Sequence, residues 1–360
     1  MVDAIPVPRR KARAALSNAS GRFETERRVL VDDGWQGEEA DALPPLKTTV
    51  QADTSRTIIA RNDSPDIPFD RSINPYRGCE HGCIYCFARP THAFLGLSPG
   101  QDFESRLFAK PDAARLLAAE LRKPGYVCDV MALGTNTDPY QPIERKLRVT
   151  RGILETLAAF SHPVGIVTKS ALVTRDIDIL APMARRRLAR VFLSVTTLDP
   201  VLARAMEPRA APPKTRLDAI RALAQAGVPV GVMTAPMIPG LNDSELEAIL
   251  EAARAAGASS AGYVALRLPH EIKDLFREWL ETNYPNRAAR VLALVRDMRG
   301  GKLNDARFGA RMKGEGAFAQ LIQRRFALAA GRLGYDRERF ALDTSQFAPP
   351  TQAGDQMRLL

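Results

Sequence analysis

Cysteine is scarce in this chain, with four residues in 360. So few thiols build no disulfide framework, and three of them are clustered, which in a reducing compartment reads as metal or redox chemistry. Long apolar runs are missing as well. No stretch reaches the roughly 18 consecutive hydrophobic residues that a membrane-spanning helix needs. The N-terminal segment lacks the apolar core of a secretory leader, so a cytoplasmic protein with no membrane partner is expected. No internal repeat or low-complexity tract is present.

The chain is 45% hydrophobic, enough for one large core or two ordinary domains. Its formal net charge is +10. Between Asn286 and Phe340 thirteen Lys and Arg face five Asp and Glu. Arg9, Arg10, Lys11 and Arg13 add a second basic group. Such a balance suits DNA or RNA as a partner, held through the basic C-terminal region, and equally suits a solvated surface.

Residues 1–56 show no sustained period and read as a basic, largely irregular extension, with one helix possible near 9–17 and a linker over 32–48. A rhythm starts near Asp70. Residues 72–78 form a short extended run. Apolar strands are expected at 129–134, 163–170, 189–197, 228–240 and 260–269. Amphipathic helices at 111–123, 150–160, 175–186, 213–227 and 242–257 alternate with them, the last capped by Asn242, Asp243 or Ser244. Continuous apolar strands alternating with helices predict an α/β fold of parallel βα units. Such a series over 57–275 makes a barrel or a doubly wound sheet. In a barrel the site lies at the strands' C-terminal ends. Those ends are polar here: Thr137 and Asp138, Thr168 and Lys169, Ser194 and Thr196, Thr234, and Arg267. Residues 276–345 read as a basic helical region and 346–360 as a tail.

The clustered thiols lie in "NPYRGCEHGCIYCFARP", residues 74–90, as Cys79, Cys83 and Cys86 with spacing C-x3-C-x2-C. Structural zinc ordinarily takes four ligands, commonly from two C-x2-C pairs. No second pair follows, and His81, two residues from both Cys79 and Cys83, is poorly placed to complete a tetrahedron. A [4Fe–4S] cluster fits better, because three thiolates leave one iron open for substrate or cosubstrate. Cys128 precedes an apolar strand at the end opposite the polar residues and reads as a buried core cysteine.

C-x3-C-x2-C with Tyr85 before the third cysteine, followed by parallel βα units, resembles the radical S-adenosylmethionine superfamily. The resemblance implies a partial (βα)6 TIM-like barrel and a [4Fe–4S] cluster on Cys79, Cys83 and Cys86. It also implies S-adenosylmethionine, cleaved by one electron to methionine and a 5′-deoxyadenosyl radical, and an electron donor such as flavodoxin or ferredoxin. Within the superfamily the chain is similar to the spore photolyase-like branch, often labelled DNA repair photolyases. By that similarity Thr137 and Asp138 in "NTDPYQPIE" hold the methionyl amine, and Lys169 in "VTKS" pairs with the carboxylate. Ser194 in "FLSVTT" lies near the ribose or carboxylate. Met237 and Ile238 in "APMIPGLND" flank the adenine, with Tyr85 nearby. Arg209 and Arg216 are implied as substrate-side cations. Spore photolyases carry a hydrogen-donating cysteine in the turn after the second strand, where this chain has Thr135. The resemblance leaves two readings, radical chemistry on nucleic acid and the same chemistry on a peptide or small metabolite; against it stands a third, a non-enzymatic zinc-holding nucleic-acid-binding protein.

Overall fold

A computed structural model describes residues 12–25, 45–335 and 340–351. Among these residues ten strands form: β1 (Thr49–Ala52), β2 (Ile59–Arg61), β3 (Arg71–Ile73), β4 (Tyr76–Arg77), β5 (Arg106–Ala109), β6 (Met131–Leu133), β7 (Val164–Thr168), β8 (Ala189–Ser194), β9 (Val230–Met237) and β10 (Ser260–Ala265). Seven of them make one sheet in the order β10-β9-β8-β7-β6-β3-β2. From β3 to β10 every pairing in it is parallel, and β2 adds an antiparallel edge to β3. Along β7 and β8 fully buried residues alternate with half-buried ones, and Val167 stays exposed on the cavity wall, so the crossover helices seal one face and the other is only partly covered. The helix Val149–Ala159 shows why each crossover docks. Val149, Ile153, Leu154 and Leu157 fall on one stripe and are buried against the sheet core. Six parallel strands with intervening helices are the partial (βα)6 barrel that the family resemblance implies, and they decide between the barrel and the doubly wound sheet that the pattern left open.

Several expectations are corrected. The extended run at 72–78 is cut at Asn74 and Pro75, so β3 joins the barrel while β4 pairs with β5 in a separate three-stranded sheet. Part of the extension read as irregular is β1, which pairs in parallel with β5. Its four side chains are all exposed, so its pairing rests on backbone hydrogen bonds and leaves no buried pattern to read. No helix forms over 12–17. Residues 9–11 and most of the expected linker, 32–44, lie outside the described residues, with Arg9, Arg10 and Lys11 among them. Cys128 is only half-buried, in an irregular segment before β6.

Asn242 stands at the N-cap of the 3-10 turn Asp243–Glu245 that leads into the helix Leu246–Ala255, but its side chain makes no capping hydrogen bond there. Its Nδ2 donates to Thr196 O at 2.7 Å and Pro236 O at 3.0 Å, and its Oδ1 accepts from Ile238 N at 2.6 Å. It ties the turn after β9 to the end of β8. Residues 340–345, expected to be helical, and 346–351 of the expected tail form no helix but a strap across the barrel base: Asp343 N donates to Arg187 O at 2.9 Å and Ala348 N to Phe160 O at 3.0 Å.

Beyond the barrel, the helices Ile272–Asn283 and Pro285–Asp297 bury Phe276, Trp279, Leu280, Val291 and Val295 in a core that also contains Cys83, Ile84 and Tyr85. The cysteine loop is thus packed from the C-terminal side as well as from the barrel.

Candidate active site

The strand ends and the cysteine loop enclose a cavity of about 530 Å³, a size suited to small ligands. Cys79, Cys83 and Cys86 line it, with Tyr85, Thr137, Asp138, Thr168, Lys169 and Ser194. Eight of the ten residues expected to hold cluster and cofactor therefore meet in one place. Met237 and Ile238 do not line it. Both are fully buried, in the two main apolar cores, while Ala235 and Pro236 of the same segment face the cavity.

The loop's shape is set from beneath by two buried residues. Arg89 donates to Cys83 O and Gly82 O at 2.9 Å each, to Pro99 O at 3.0 Å and to Gly100 O at 2.9 Å. Its remaining bond is an ion pair at 2.5 Å with Glu104, itself fully buried. Glu104 also accepts from the Ala15 amide at 3.0 Å. Gly82, with φ +64°, leaves no room for a side chain, since a Cβ would lie 2.8 Å from Glu104 Oε2. Burial pushes all three thiols up, with Asp138 adding to the effect at Cys79 and Glu207 at Cys83. A cationic metal centre reverses that balance by favouring thiolate.

Lys169 extends from the end of β7 over the Tyr85 ring, 5.5 Å from its centroid. Its Nζ donates to Ala235 O at 3.1 Å and lies 3.5 Å from Glu207 Oε1. Burial lowers its pKa to about 8. Glu207 is buried and joins four residues: Tyr85 and Thr196 through their hydroxyls, Lys169, and Arg216. Arg216 is 1% exposed and also bonds Ser194 O at 2.9 Å. It therefore stands behind the cavity wall, and the substrate-facing place implied for it is not found. Arg209 likewise pairs with Glu80, at 2.9 Å, and does not line the cavity.

Asp138 braces the turn after β6 to the end of β7. It accepts from Thr168 Oγ1 at 2.6 Å, Lys169 N at 2.7 Å and Tyr140 N at 2.9 Å, and lies 3.3 Å from His81 Nδ1. Burial pushes its carboxyl up, but His81, Thr168 and the Lys169 amide together hold it below the usual range. Thr137 donates to Tyr76 O at 3.0 Å, and Thr135 lies 3.4 Å from Asn74 Oδ1. Gly134 has φ +86°, and a Cβ there would sit 1.9 Å from Val167 O. Glycine is what lets this turn approach β7.

Sequence reasoning missed Glu207, Arg89, Glu104 and Phe87. A basic residue three positions after the third cysteine, in an otherwise apolar stretch, was the available sign of Arg89. Glu207 carried no local sign.

The donor set suits the iron–sulfur group that the cysteine spacing implies. Three thiols from one loop face a cavity whose far wall offers a buried ammonium and several hydroxyls.

Comparison with known proteins agrees. Residues 73–253, half of the chain, match the family model described as the Radical SAM superfamily. An uncharacterized protein of Mycobacterium tuberculosis is 39% identical over 232 residues, which is 64% of this chain and 68% of that protein. An uncharacterized protein of Methanocaldococcus jannaschii is 27% identical over 213 residues, 59% of this chain and 76% of its own length. Among solved structures, spore photoproduct lyase complexed with dinucleoside spore photoproduct shares the fold, with TM-score 0.55 and 17% identity over 79% of this chain and 80% of that one. A variant of that lyase with bound AdoMet and dinucleoside spore photoproduct matches equally, with TM-score 0.55 and 17% identity over the same shares of both chains. On the family match and the 39% relative, the chain belongs to the radical SAM superfamily.

Proposed function

We propose that this protein is a radical S-adenosylmethionine enzyme whose substrate is nucleic acid, acting in lesion repair or base modification. Cys79, Cys83 and Cys86 would hold a [4Fe–4S] cluster, and the chemistry it would supply when bound is the one-electron cleavage of S-adenosylmethionine to methionine and a 5′-deoxyadenosyl radical. The chain's own residues do the rest. The Arg89 and Glu104 pair holds the thiols in register. Lys169 offers an ammonium to the cofactor's carboxylate, and Ser194 and Thr137 give hydroxyls on the same wall. Asp138 fixes the turn that carries Thr137. Apolar packing by Ile84, Phe276 and Trp279 keeps water from the loop's back.

One observation carries the reading: the three thiols and the cationic side chains of Lys169, Arg267 and Arg311 share a single cavity. The basic C-terminal region supports it less than its composition suggests. Arg299 is buried, and Arg307, Arg311, Arg325 and Arg332 are held in ion pairs. Arg287, Arg290, Arg296, Lys302 and Arg324 stay exposed. Thr135 has no thiol to return a hydrogen atom, so the product need not be that of a spore photolyase. An electron donor such as flavodoxin or ferredoxin completes the scheme. No helix among the described residues is long and apolar enough to cross a membrane.

The test is 5′-deoxyadenosine yield from anaerobically reconstituted protein, reductant and S-adenosylmethionine, with and without ultraviolet-irradiated DNA. A yield that rises with damaged DNA supports the reading. A yield indifferent to DNA and RNA of every form leaves the radical chemistry and removes the substrate.

A further inference from the structure

Four cationic or ionisable basic side chains line the cavity: His81, Lys169, Arg267 and Arg311. Three have a carboxylate at hand. His81 lies 3.3 Å from Asp138, Lys169 lies 3.5 Å from Glu207, and Arg311 is paired with Asp66. Arg267 has none within ion-pair distance among the described residues. Its Nε is buried without a hydrogen-bond partner. Its Nη1 reaches only the Met312 thioether, at 3.5 Å, a weak acceptor. Burial and the nearby Arg311 push its pKa down, and Asp66 pulls the other way from beyond ion-pair distance, its carboxylate already paired with Arg311. A largely buried guanidinium with only a shared, distant counter-charge is costly to keep, and the cost is offset when an anion arrives.

The position narrows which anion. Arg267 follows β10 and Lys169 follows β7, with β8 and β9 between them in the sheet. Lys169, on the Tyr85 side, is the cation available to the cofactor carboxylate. Arg267 instead lies over Phe87, 5.2 Å from its ring centroid. Phe87 directly follows the third cysteine, lines the cavity and is 47% exposed. The guanidinium fork matches the paired oxygens of a phosphate, and an exposed aromatic face stacks a base.

We infer that Arg267 and Phe87 form a subsite for a phosphodiester and the base beside it, which places the substrate backbone at the β10 side of the cavity. The inference rests on the nucleic-acid reading above and deepens it.

The test uses the full chain, anaerobic and reconstituted, with thymidylyl-thymidine and its uncharged methylphosphonate-linked counterpart as probes, by equilibrium dialysis. The wild-type protein is expected to prefer the charged dinucleotide by roughly tenfold or more, the scale of one charge-assisted pair. Arg267→Met is expected to abolish the preference, and Arg267→Lys to restore part of it. S-Adenosylmethionine affinity should hold within about twofold by the same conversion. Phe87→Leu should weaken both dinucleotides equally and leave the charge preference intact, which tests the stacking half even if Arg267→Met fails to fold. Equal binding of the two dinucleotides by wild type overturns the inference. So does an Arg267→Met protein that loses S-adenosylmethionine affinity instead, because the guanidinium then serves the cofactor. Binding of single-stranded DNA that ignores Arg267 sinks this subsite alone. Failure of the wild type to bind either dinucleotide or any single-stranded DNA removes the nucleic-acid reading with it.

Discussion

Replacing Arg89 by methionine removes the clamp beneath the cysteine loop while keeping most of its volume. The guanidinium makes five hydrogen bonds, all buried, and one is the 2.5 Å ion pair to Glu104. Without it, the Glu104 charge is stranded at 0% exposure, and four carbonyls lose their donor. Breaking a buried pair from one side costs about 3–5 kcal/mol. Unfolding entropy of about 2.1 cal/mol/K per residue makes roughly 0.75 kcal/mol per degree for a chain of this length, so Tm should fall by about 5 °C.

Differential scanning calorimetry of the apoprotein reads that fall, and iron per chain after reconstitution reads the loop. Both should drop in Arg89→Met. Arg89→Met combined with Glu104→Leu should recover part of the Tm, since no charge is then left unpaired. If Arg89→Met kept its Tm and its iron, the clamp would carry no weight. A double variant as damaged as the single one would refute the stranded-charge argument.

Three other outcomes are expected. Cys83→Ala should lose the visible absorbance and iron of the cluster with far-ultraviolet circular dichroism unchanged; retained 5′-deoxyadenosine formation would show the ligand set to be wrong. Gly134→Ala places a methyl 1.9 Å from Val167 O at a positive φ, and it should destabilise by a few kcal/mol, about the size of a strained non-glycine position plus overpacking. Urea denaturation measures it, and a loss under about 0.5 kcal/mol would place it with ordinary surface changes.

Acid should weaken the fold before its carboxylates titrate. His162 is fully buried, its Nδ1 donating to Pro163 O at 3.0 Å and its Nε2 accepting from Tyr126 at 2.8 Å, and burial lowers its pKa to about 4. From the ordinary 6.5 downward, the unfolded chain takes a proton that the folded chain refuses. Stability present above that value is thus lost as pH falls toward 4, by up to about 3 kcal/mol. His92 is buried too, and burial lowers its pKa likewise to about 4, so His162→Gln should reduce the pH dependence of the urea midpoint between those limits and leave the share of His92; an unchanged slope contradicts the assignment.

The barrel was legible because its strands are continuous apolar runs and its helices carry periodic stripes, both local signals. The thiols were legible because they are contiguous. What was not legible depends on distant partners. Arg311 meets Asp66 across 245 positions and Tyr85 meets Glu207 across 122, and neither residue announces the other. Charge counting also failed at Arg299, which reads as surface and is buried with its guanidinium bonded to Ala310 O at 2.8 Å and Leu266 O at 2.7 Å. The side chains of Met237 and Ile238 show the limit of a motif. The turn is where it was expected, but strand alternation and the packing of the C-terminal helices send both side chains into cores.

The strap at 340–351 has a practical consequence. It crosses the N-terminal ends of β7 and β8 through Phe160 and Arg187, and Arg122 Nη2 holds Pro350 O at 2.5 Å. A tether fused behind it therefore leaves from the floor of the barrel, with the cysteine cavity facing away. Tension applied there loads the floor first. Immobilised on a surface by that end, the molecule would present the mouth of the thiol cavity to solution, open to ligands and to a diffusing electron donor but far from the surface for direct electron transfer.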